Sequence, residues 1–357
     1  MSAKKVPQNC PSSHNATSDE KIHTQSSVAQ QILAITGPWG RWQLHFFLLF
    51  FYLQIFACWH SLQLAFIAPN IDFWCAEVDG KDSQVLDKLL LQQPNQCNTD
   101  HLWHQNGNGS QVCSRWTYNL ASTASGGNGN ASAFYRSTIV SEWDLVCGRK
   151  WMAGFAHSVY MAGWLAAGLV MTHASDRFGR RVTMVAGWAI SLGATVGAAL
   201  AGNLLLFYAF RFLISFGLVG AYATSFVLLL EITGPQYREA IGLASNYGWT
   251  LGYTTLPLLV WAGPGRDFRQ LLYCCAAVQL LAAVPAYWLI TESPRWLLAQ
   301  GGRGEEAAAV LRRAVKANKR SSTDKNENNE EAEMKIARLL KSASNILERL
   351  DKRYSLL

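Results

Sequence analysis

Apolar residues in this chain come in long unbroken runs, not in the short rhythms of a surface helix or strand. The runs lie at residues 44–67, 151–172, 182–201, 204–230, 239–262 and 270–290. Each can cross a hydrocarbon core of roughly 30 Å as an α-helix, at about 20 residues per crossing. Polar or Gly/Pro punctuation bounds each run. The tightest boundary, Gly202-Asn203, leaves just enough chain for two helices to reverse direction. The pattern predicts an all-α multi-pass membrane protein in three parts. A polar tail covers residues 1–43, a six-span bundle covers 44–290 with a long first loop at 68–150, and a polar connector covers 291–357. Two amphipathic stretches follow in the connector. Glu305–Lys319 places Ala307, Val310, Leu311 and Ala314 on one face, and Ala332–Leu350 follows the polar linker Ser321–Glu331.

Composition narrows this picture. Half of the 357 residues are hydrophobic and 15% are charged, against roughly 25% charged in a soluble domain. The charge is concentrated in the first 43 residues, in 68–150 and after 290. That distribution excludes a soluble enzyme, a disordered protein and a secreted disulfide miniprotein. The net charge is +7. Its basic residues cluster in the connector and at Arg177, Arg180 and Arg181, between the second and third runs. An even number of spans puts both termini on one side, and the positive-inside bias makes that side cytoplasmic. Arg266 and Arg269 point the other way and are outnumbered. No basic stripe interleaves with aromatics, so no nucleic-acid partner is expected. No short apolar core follows a basic start, so no cleavable signal peptide is expected.

The long first loop carries its own markers. Cys75, Cys97, Cys113 and Cys147 all fall within it, which suits two disulfides in an oxidising compartment, with every pairing open. The sequons Asn108-Gly-Ser110 and Asn130-Ala-Ser132 share the loop. Both features place it outside the cell. A further sequon at Asn15 falls in the expected cytoplasmic tail. Cys58, Cys274 and Cys275 lie inside spans.

Between the second and third runs stands Ser175-Asp176-Arg177-Phe178-Gly179-Arg180-Arg181. A positive-inside anchor explains the arginines but not the set. Gly179 permits a tight turn, and Asp176 can pair with an arginine or cap a helix. This core resembles the loop 2–3 signature of the major facilitator superfamily, with Thr172 and Ala174 where that signature has Gly and Leu. A second layer sharpens the likeness. Glu142-Trp143-Asp144-Leu145-Val146-Cys147 precedes span two. Arg211-Phe212-Leu213 opens span four, which ends in Leu230-Glu231-Ile232 and Gly234-Pro235-Gln236-Tyr237-Arg238. Gly248-Trp249 and Gly252-Tyr253 lie in span five, and Glu292-Ser293-Pro294-Arg295-Trp296-Leu297-Leu298 follows span six. Together they resemble the organic cation/anion/carnitine transporter family of solute carriers. Ser215 and Thr291 depart from its usual Gly and Pro.

The resemblance implies a fold of two six-span halves, each of two inverted three-span repeats, with substrate between the halves. It covers the first half of the family's length from about residue 40. The chain is therefore expected to be the N-terminal half of such a carrier, as a fragment, an isoform or an incomplete gene product. By resemblance, Asp176, Arg177, Gly179, Arg180, Arg181, Glu231, Arg238, Glu292 and Arg295 form a cytoplasmic gate. The implied localisation is the plasma membrane. The connector helices would cover the cytoplasmic face, or lie as basic helices against anionic lipid.

Helical spacing supplies substrate-site candidates. Gln54, Cys58 and Ser61 share an arc of span one. His157, Tyr160 and Trp164 do so in span two, and Asn246, Thr250 and Tyr253 in span five. Aromatic faces attract cations by about 0.5–2 kcal/mol each, while the hydroxyl and amide groups serve anions equally well. The same residues could equally bind helix to helix. Arg211 is expected to face inward or snorkel, and Gly193-Ala-Thr-Val-Gly197 reads as a close packing seam in span three. No metal cluster, cofactor motif or nucleophile elbow is present in the sequence, so no cofactor and no enzyme activity are expected. Two functions stay open: transport of a small organic ion by alternating access, or a non-transporting truncated membrane protein that associates with or regulates a full-length carrier. The expected partners are the ion, the lipid bilayer, and a C-terminal transporter half or a full-length carrier.

Overall fold

The computed structural model describes residues 28–75, 97, 116–118, 120, 135–262, 267–300, 302–319 and 327–354. Helix α1 covers 28–36. Helix α2, Arg41–Leu62, breaks at Gln63 and continues briefly as α3, Leu64–Ile67. Strands β1, Phe73–Cys75, and β2, Trp116–Tyr118, pair antiparallel with Phe73 opposite Tyr118. Helix α4, Ile139–Glu142, starts on a capping box between Thr138 and Ser141. Four long helices follow: α5, Trp151–Phe178; α6, Arg180–Leu200; α7, Leu204–Ile232; and α8, Pro235–Trp261. Then come α9, Phe268–Leu289, α10, Pro294–Ala299, α11, Gly304–Lys319, and α12, Glu327–Tyr354.

Five rods among the described residues are long and apolar enough to cross a membrane: Arg41–Ile67, Cys147–Phe178, Arg180–Leu200, Leu204–Ile232 and Phe268–Leu289. The chain is a multi-pass membrane protein. Helix α8, at the expected fifth span, differs in kind. Its 27 residues reach about 40 Å. However, Arg238, Glu239, Ser245, Asn246, Thr250, Thr254 and Thr255 lie along it, and it falls short of the apolar density of the others. The six alike spans expected from the sequence are five apolar helices and one polar helix.

Helix ends follow local chemistry. The Asn203 side chain accepts the Leu206 N–H at 2.8 Å and starts α7. Pro235 and Pro294 occupy the first positions of α8 and α10, where a missing N–H costs nothing. Ser293 caps α10 by accepting the Trp296 N–H.

Helix α7 is the centre of the bundle. It packs most closely on α6 and α5 and also meets α2. Helix α2 packs on α8, and α9 packs on α6. The first long helix thus pairs with the fifth, and the second with the fourth. Glycines set these approaches. A Cβ on Gly187 of α6 would sit 2.6 Å from the Gly217 carbonyl oxygen of α7. One on Gly163 of α5 would land on Ser215 Oγ and 2.5 Å from the Phe212 carbonyl. On α8, a Cβ at Gly248 would meet the Phe51 carbonyl at 2.5 Å, and one at Gly252 would meet Cys58 Cβ at 2.6 Å. The seam expected at Gly193 and Gly197 is only half realised. Gly197 fits against the Phe210 ring, whereas Gly193 has nothing within 4 Å.

At one end of the bundle, α1, α10, α11 and α12 gather around α2 and α7. Ile32, Trp42, Ile232, Leu297, Leu311 and Leu339 belong to one buried cluster there. Ala307, Val310, Leu311 and Ala314 are all buried, so the amphipathic face of α11 is the face that packs. Helix α12 starts earlier than the pattern suggested, because residues 327–331 of the expected linker are helical. Asn318 of α11 ties this end together. Its amide donates to the Thr36 carbonyl at 2.7 Å and to Gln43 Oε1 at 3.1 Å, and accepts the Trp42 N–H at 2.8 Å.

At the other end, Arg269 of α9 donates to the Ala199 and Ala201 carbonyls at 2.7 and 3.1 Å and pairs with Glu142. The Tyr118 hydroxyl donates to Asp144 at 2.8 Å, and burial together with that carboxylate raises the phenol above its ordinary range. The sulfurs of Cys97 and Cys147 lie 2.09 Å apart. The backbone of Cys75 is in β1. Cys113, Asn108 and Asn130 lie outside the described residues.

Replacing Gly163 by Val forces α5 and α7 apart, and overpacking of this kind costs about 1–3 kcal/mol. Thermal unfolding in detergent should show a melting temperature several degrees lower. Gly168→Ala, on the same helix with nothing within 4 Å of its Cβ position, should leave it unchanged.

Candidate functional site

The turn between α5 and α6 gathers charge from across the chain. Arg180, the first residue of α6, is its hub. Its Nη2 lies 3.0 Å from Asp176 Oδ1 and 3.1 Å from Glu231 Oε1, and its Nη1 donates to the Ser175 carbonyl at 3.1 Å. The Asp176 pair is an i,i+4 contact, the favoured spacing along a helix. The Arg180 and Glu231 side chains are 10% and 12% exposed, whereas Asp176 is 68% exposed. Of the two, the Arg180–Glu231 pair is the one shielded enough that removing one partner leaves a costly unpaired charge. The Ser293 hydroxyl also donates to Glu231.

Glu292 has a different task. Its carboxylate accepts the Arg180 N–H at 2.8 Å, the Arg181 N–H at 3.2 Å and the Ser293 N–H at 3.0 Å. The first amides of a helix lack intrahelical partners and carry its positive dipole end. Glu292 therefore caps α6 from a distant part of the chain. The capped turn depends on Gly179, which adopts φ +102°. A Cβ there would sit 2.6 Å from the Glu292 carboxylate, so glycine serves both conformation and space. The Trp296 indole N–H donates to the Asp176 carbonyl at 2.8 Å and holds α10 under the turn.

The other arginines stand around this hub. Arg181 lies over the Tyr287 ring at 5.4 Å, and Arg177 over Phe178 at 5.6 Å. Arg238 donates to the Thr233 carbonyl at 3.2 Å, and Arg295 is the second residue of α10. The structure thus brings Asp176, Gly179, Arg180, Arg181, Glu231 and Glu292 into one connected turn. Arg177 meets Phe178 and Arg238 meets the Thr233 carbonyl, both outside the ion-paired hub. Sequence reasoning missed Ser293 and Trp296. The Ser-Pro pair carried a readable cap signal, but its reach to Glu231 is a tertiary contact.

The substrate-site candidates divide in two. Gln54, Ser61 and Tyr160 are buried and bonded to neighbouring helices. The Gln54 amide donates to Tyr222 at 3.4 Å, and Ser61 and Tyr160 share a hydroxyl contact of 3.3 Å. His157 stacks on Tyr160 with centroids 6.3 Å apart, and Trp164 on the same helix is half-buried. Asn246, Thr250 and Tyr253 are exposed along α8. Cys58, on the same arc as Gln54, is buried against Gly252.

Arg211 sits among the buried set and is completely enclosed. Its guanidinium lies 4.6 Å from the Tyr160 ring centroid and donates to the His60 carbonyl at 3.3 Å, in the last turn of α2. It faces inward rather than snorkelling. Ser215, one turn further on, donates to the Tyr160 carbonyl at 2.7 Å. Among the described residues, no three His, Cys, Asp or Glu side chains converge in a way that could hold a metal ion. The arrangement pairs charges at one end and presents polar and aromatic groups along α8.

A family model described as sugar (and other) transporter matches residues 112–354. The chain is 35% identical to solute carrier family 22 member 3 of Rattus norvegicus over 183 residues, 51% of this chain and 32% of the rat protein. It is 36% identical to organic cation/carnitine transporter 2 of Homo sapiens over 187 residues, 52% and 32% of the two chains. Organic anion transporter 3 of Homo sapiens is 33% identical over 180 residues, 50% and 32%. The chain spans about a third of the length of the curated relatives it matches. The family match takes in the long helices α5 to α9, the charged turn and the connector, so this chain belongs to the sugar (and other) transporter family, a family of membrane transporters and not of enzymes.

Proposed function

We propose that the chain carries small organic ions across the plasma membrane by alternating access, as the six-helix N-terminal half of a major facilitator fold. The observation that carries the reading is the capped charged turn around Arg180, Glu231 and Glu292, in a chain similar to carriers named for organic cations and anions. In this reading α8 crosses the bilayer as well. Its polar face is a reason to line a substrate path, since polar groups in a span face protein or water rather than lipid.

The gate consists of Asp176, Arg177, Gly179, Arg180, Arg181, Glu231, Arg238, Glu292 and Arg295 at the cytoplasmic ends of the helices. Closed pairs favour one access state, and their opening releases the other. Exposed pairs contribute about 0–1 kcal/mol each, so the shielded Arg180–Glu231 pair and the Glu292 cap carry most of the bias. Asn246, Thr250 and Tyr253 touch substrate from α8, with His157 and Trp164 on the facing aromatic arc. Gln54, Ser61 and Tyr160 belong to the site as groups that hold its wall. In this reading the tail of 1–43 and the connector of 291–357 are cytoplasmic. The loop of 68–150 is extracellular, disulfide-linked through Cys97 and Cys147, and glycosylated at Asn108 and Asn130.

The direct test is a chimera in which this chain replaces the matching stretch of human organic cation/carnitine transporter 2. Saturable uptake of a fluorescent organic cation or a fluorescent carboxylate is expected. A chimera that reaches the cell surface and moves neither ion overturns the proposal. Lower uptake by the intact relative when the chain is merely co-expressed would favour the associating, non-transporting reading.

Replacing Glu292 by Ala removes the cap on α6, a loss of about 0.5–2 kcal/mol. Hydrogen exchange at the Arg180 and Arg181 amides should rise several-fold, and chimera uptake should fall. Glu292→Gln retains an acceptor and should lie in between. Treatment with peptide N-glycosidase should increase the chain's gel mobility, and Asn108→Gln with Asn130→Gln should abolish that shift. An unchanged shift would place the glycan, and the outward face, elsewhere.

A further inference from the structure

Between α6 and α9 lies a cavity of about 300 Å³. Val185, Ala189 and Leu192 line it from α6; Ala283, Val284 and Trp288 line it from α9. Its rim is open. Val284 and Trp288 are exposed, and exposed Leu280 and Leu281 extend the apolar surface around it. In a membrane protein such a surface meets lipid. The cavity therefore communicates with the bilayer.

Two lining residues break the apolar pattern, one from each helix. Gln279 lines the cavity and is fully buried. Neither its Nε2 nor its Oε1 has a partner among the described residues, and the same holds for the buried Nε1 of Trp188, which lines the cavity from α6. Buried amides are nearly always satisfied, and one left unpaired costs free energy. Here an amide from α9 that offers a donor and an acceptor lines the same cavity as an indole from α6 that offers a second donor. A hydroxyl answers both, because it accepts from an N–H and donates to Oε1. A carbonyl leaves Oε1 unmet. An ion would sit against apolar walls with no counter-charge.

We infer that this cavity binds an uncharged amphiphile entering from the bilayer, an apolar body bearing one hydroxyl held by Gln279 and Trp188. The inference does not depend on the transport reading. It has a consequence for the charged turn, because Tyr287, which also lines the cavity, lies under Arg181.

The test uses the full chain in lipid nanodiscs and a diazirine-bearing long-chain alkanol. Photolabelling should saturate and map to peptides of residues 182–192 and 279–288. Unlabelled alkanol should compete, whereas the alkane of equal length should compete about tenfold less well. Gln279→Leu should lower labelling about five- to tenfold, and Trp188→Phe about two- to threefold, with helical content and elution volume unchanged. Ala283→Phe, which fills the cavity, should abolish labelling. Equal competition by alkane and alkanol overturns the proposal, as does labelling spread over every apolar helix. Undiminished labelling of Gln279→Leu also overturns it, since water then satisfies the amide. Labelling that falls as the protein-to-lipid ratio rises marks a second copy of the chain in the cavity and overturns it too. If Gln279→Leu fails to fold, the alkane comparison on the unaltered chain decides alone.

Discussion

A guanidinium enclosed in an apolar bundle must find compensation inside it, and Arg211 constrains the bundle for that reason. Left alone in such surroundings, a charge costs several kcal/mol. Two groups from different helices offset the cost. The carbonyl of His60 lies in the last turn of α2, at the negative end of the helix dipole. The Tyr160 ring of α5 offers its electron-rich face at 4.6 Å. Helix α7 can therefore slide against neither neighbour without exposing the charge to an apolar surface. Ser215 repeats the constraint one turn along, bonding the Tyr160 carbonyl. That bond is short enough to require a glycine at 163 on the facing helix. Charge, hydroxyl and glycine together set the register of α7 on α5, and Arg211 also sets its register on α2.

The opposite end of the bundle uses charge differently. There the acidic groups meet backbone amides and arginines, in a mix of shielded and exposed contacts. Asp176 is well exposed and contributes little. Glu292 instead exchanges bonds with water for bonds with a helix N-terminus, which exists only while the α5–α6 turn keeps its shape. The cap links the turn to the start of the connector, and Trp296 adds a bond to the Asp176 carbonyl. A movement of α10 would disturb the cap and the hub together.

The apolar runs located the membrane helices because a span must be apolar over its whole length, and that constraint is local in sequence. It under-read α5, which continues to Phe178 through His173, Asp176 and Arg177, since a helix does not stop at the edge of hydrocarbon. It did not separate α8 from the other helices, because length alone does not reveal its polar residues. The pair Asp176 and Arg180 was legible from its i,i+4 spacing. The roles of Glu292 and Arg211 were not, because they meet backbone groups and, for Arg211, an aromatic ring far along the chain. Glycine spacing misled for the same reason. Gly193 and Gly197 form a regular pattern, yet the close contact uses Gly187 against Gly217, chosen by the rotation of α6.

The connector shows how amphipathic pattern and tertiary position combine. The apolar face of α11 could equally have lain on lipid, a choice the sequence pattern left open. Its packing around α2 and α7 is made specific by Asn318, whose amide meets a carbonyl at the end of α1 and a side chain and an N–H at the start of α2. Gly40 leaves the space for that amide, since a Cβ there would lie 2.5 Å from Asn318 Cγ. An apolar face supplies affinity without direction, whereas a buried amide with matched partners accepts one orientation. The N-terminal segment, the first long helix and the connector are therefore tied as one unit. Gln43 extends that unit to the last turn of α7 through its bond to the Ile232 carbonyl. The helix that carries Arg211 near one end thus carries Glu231 and this tie near the other, so a rigid shift of α7 would be felt at both.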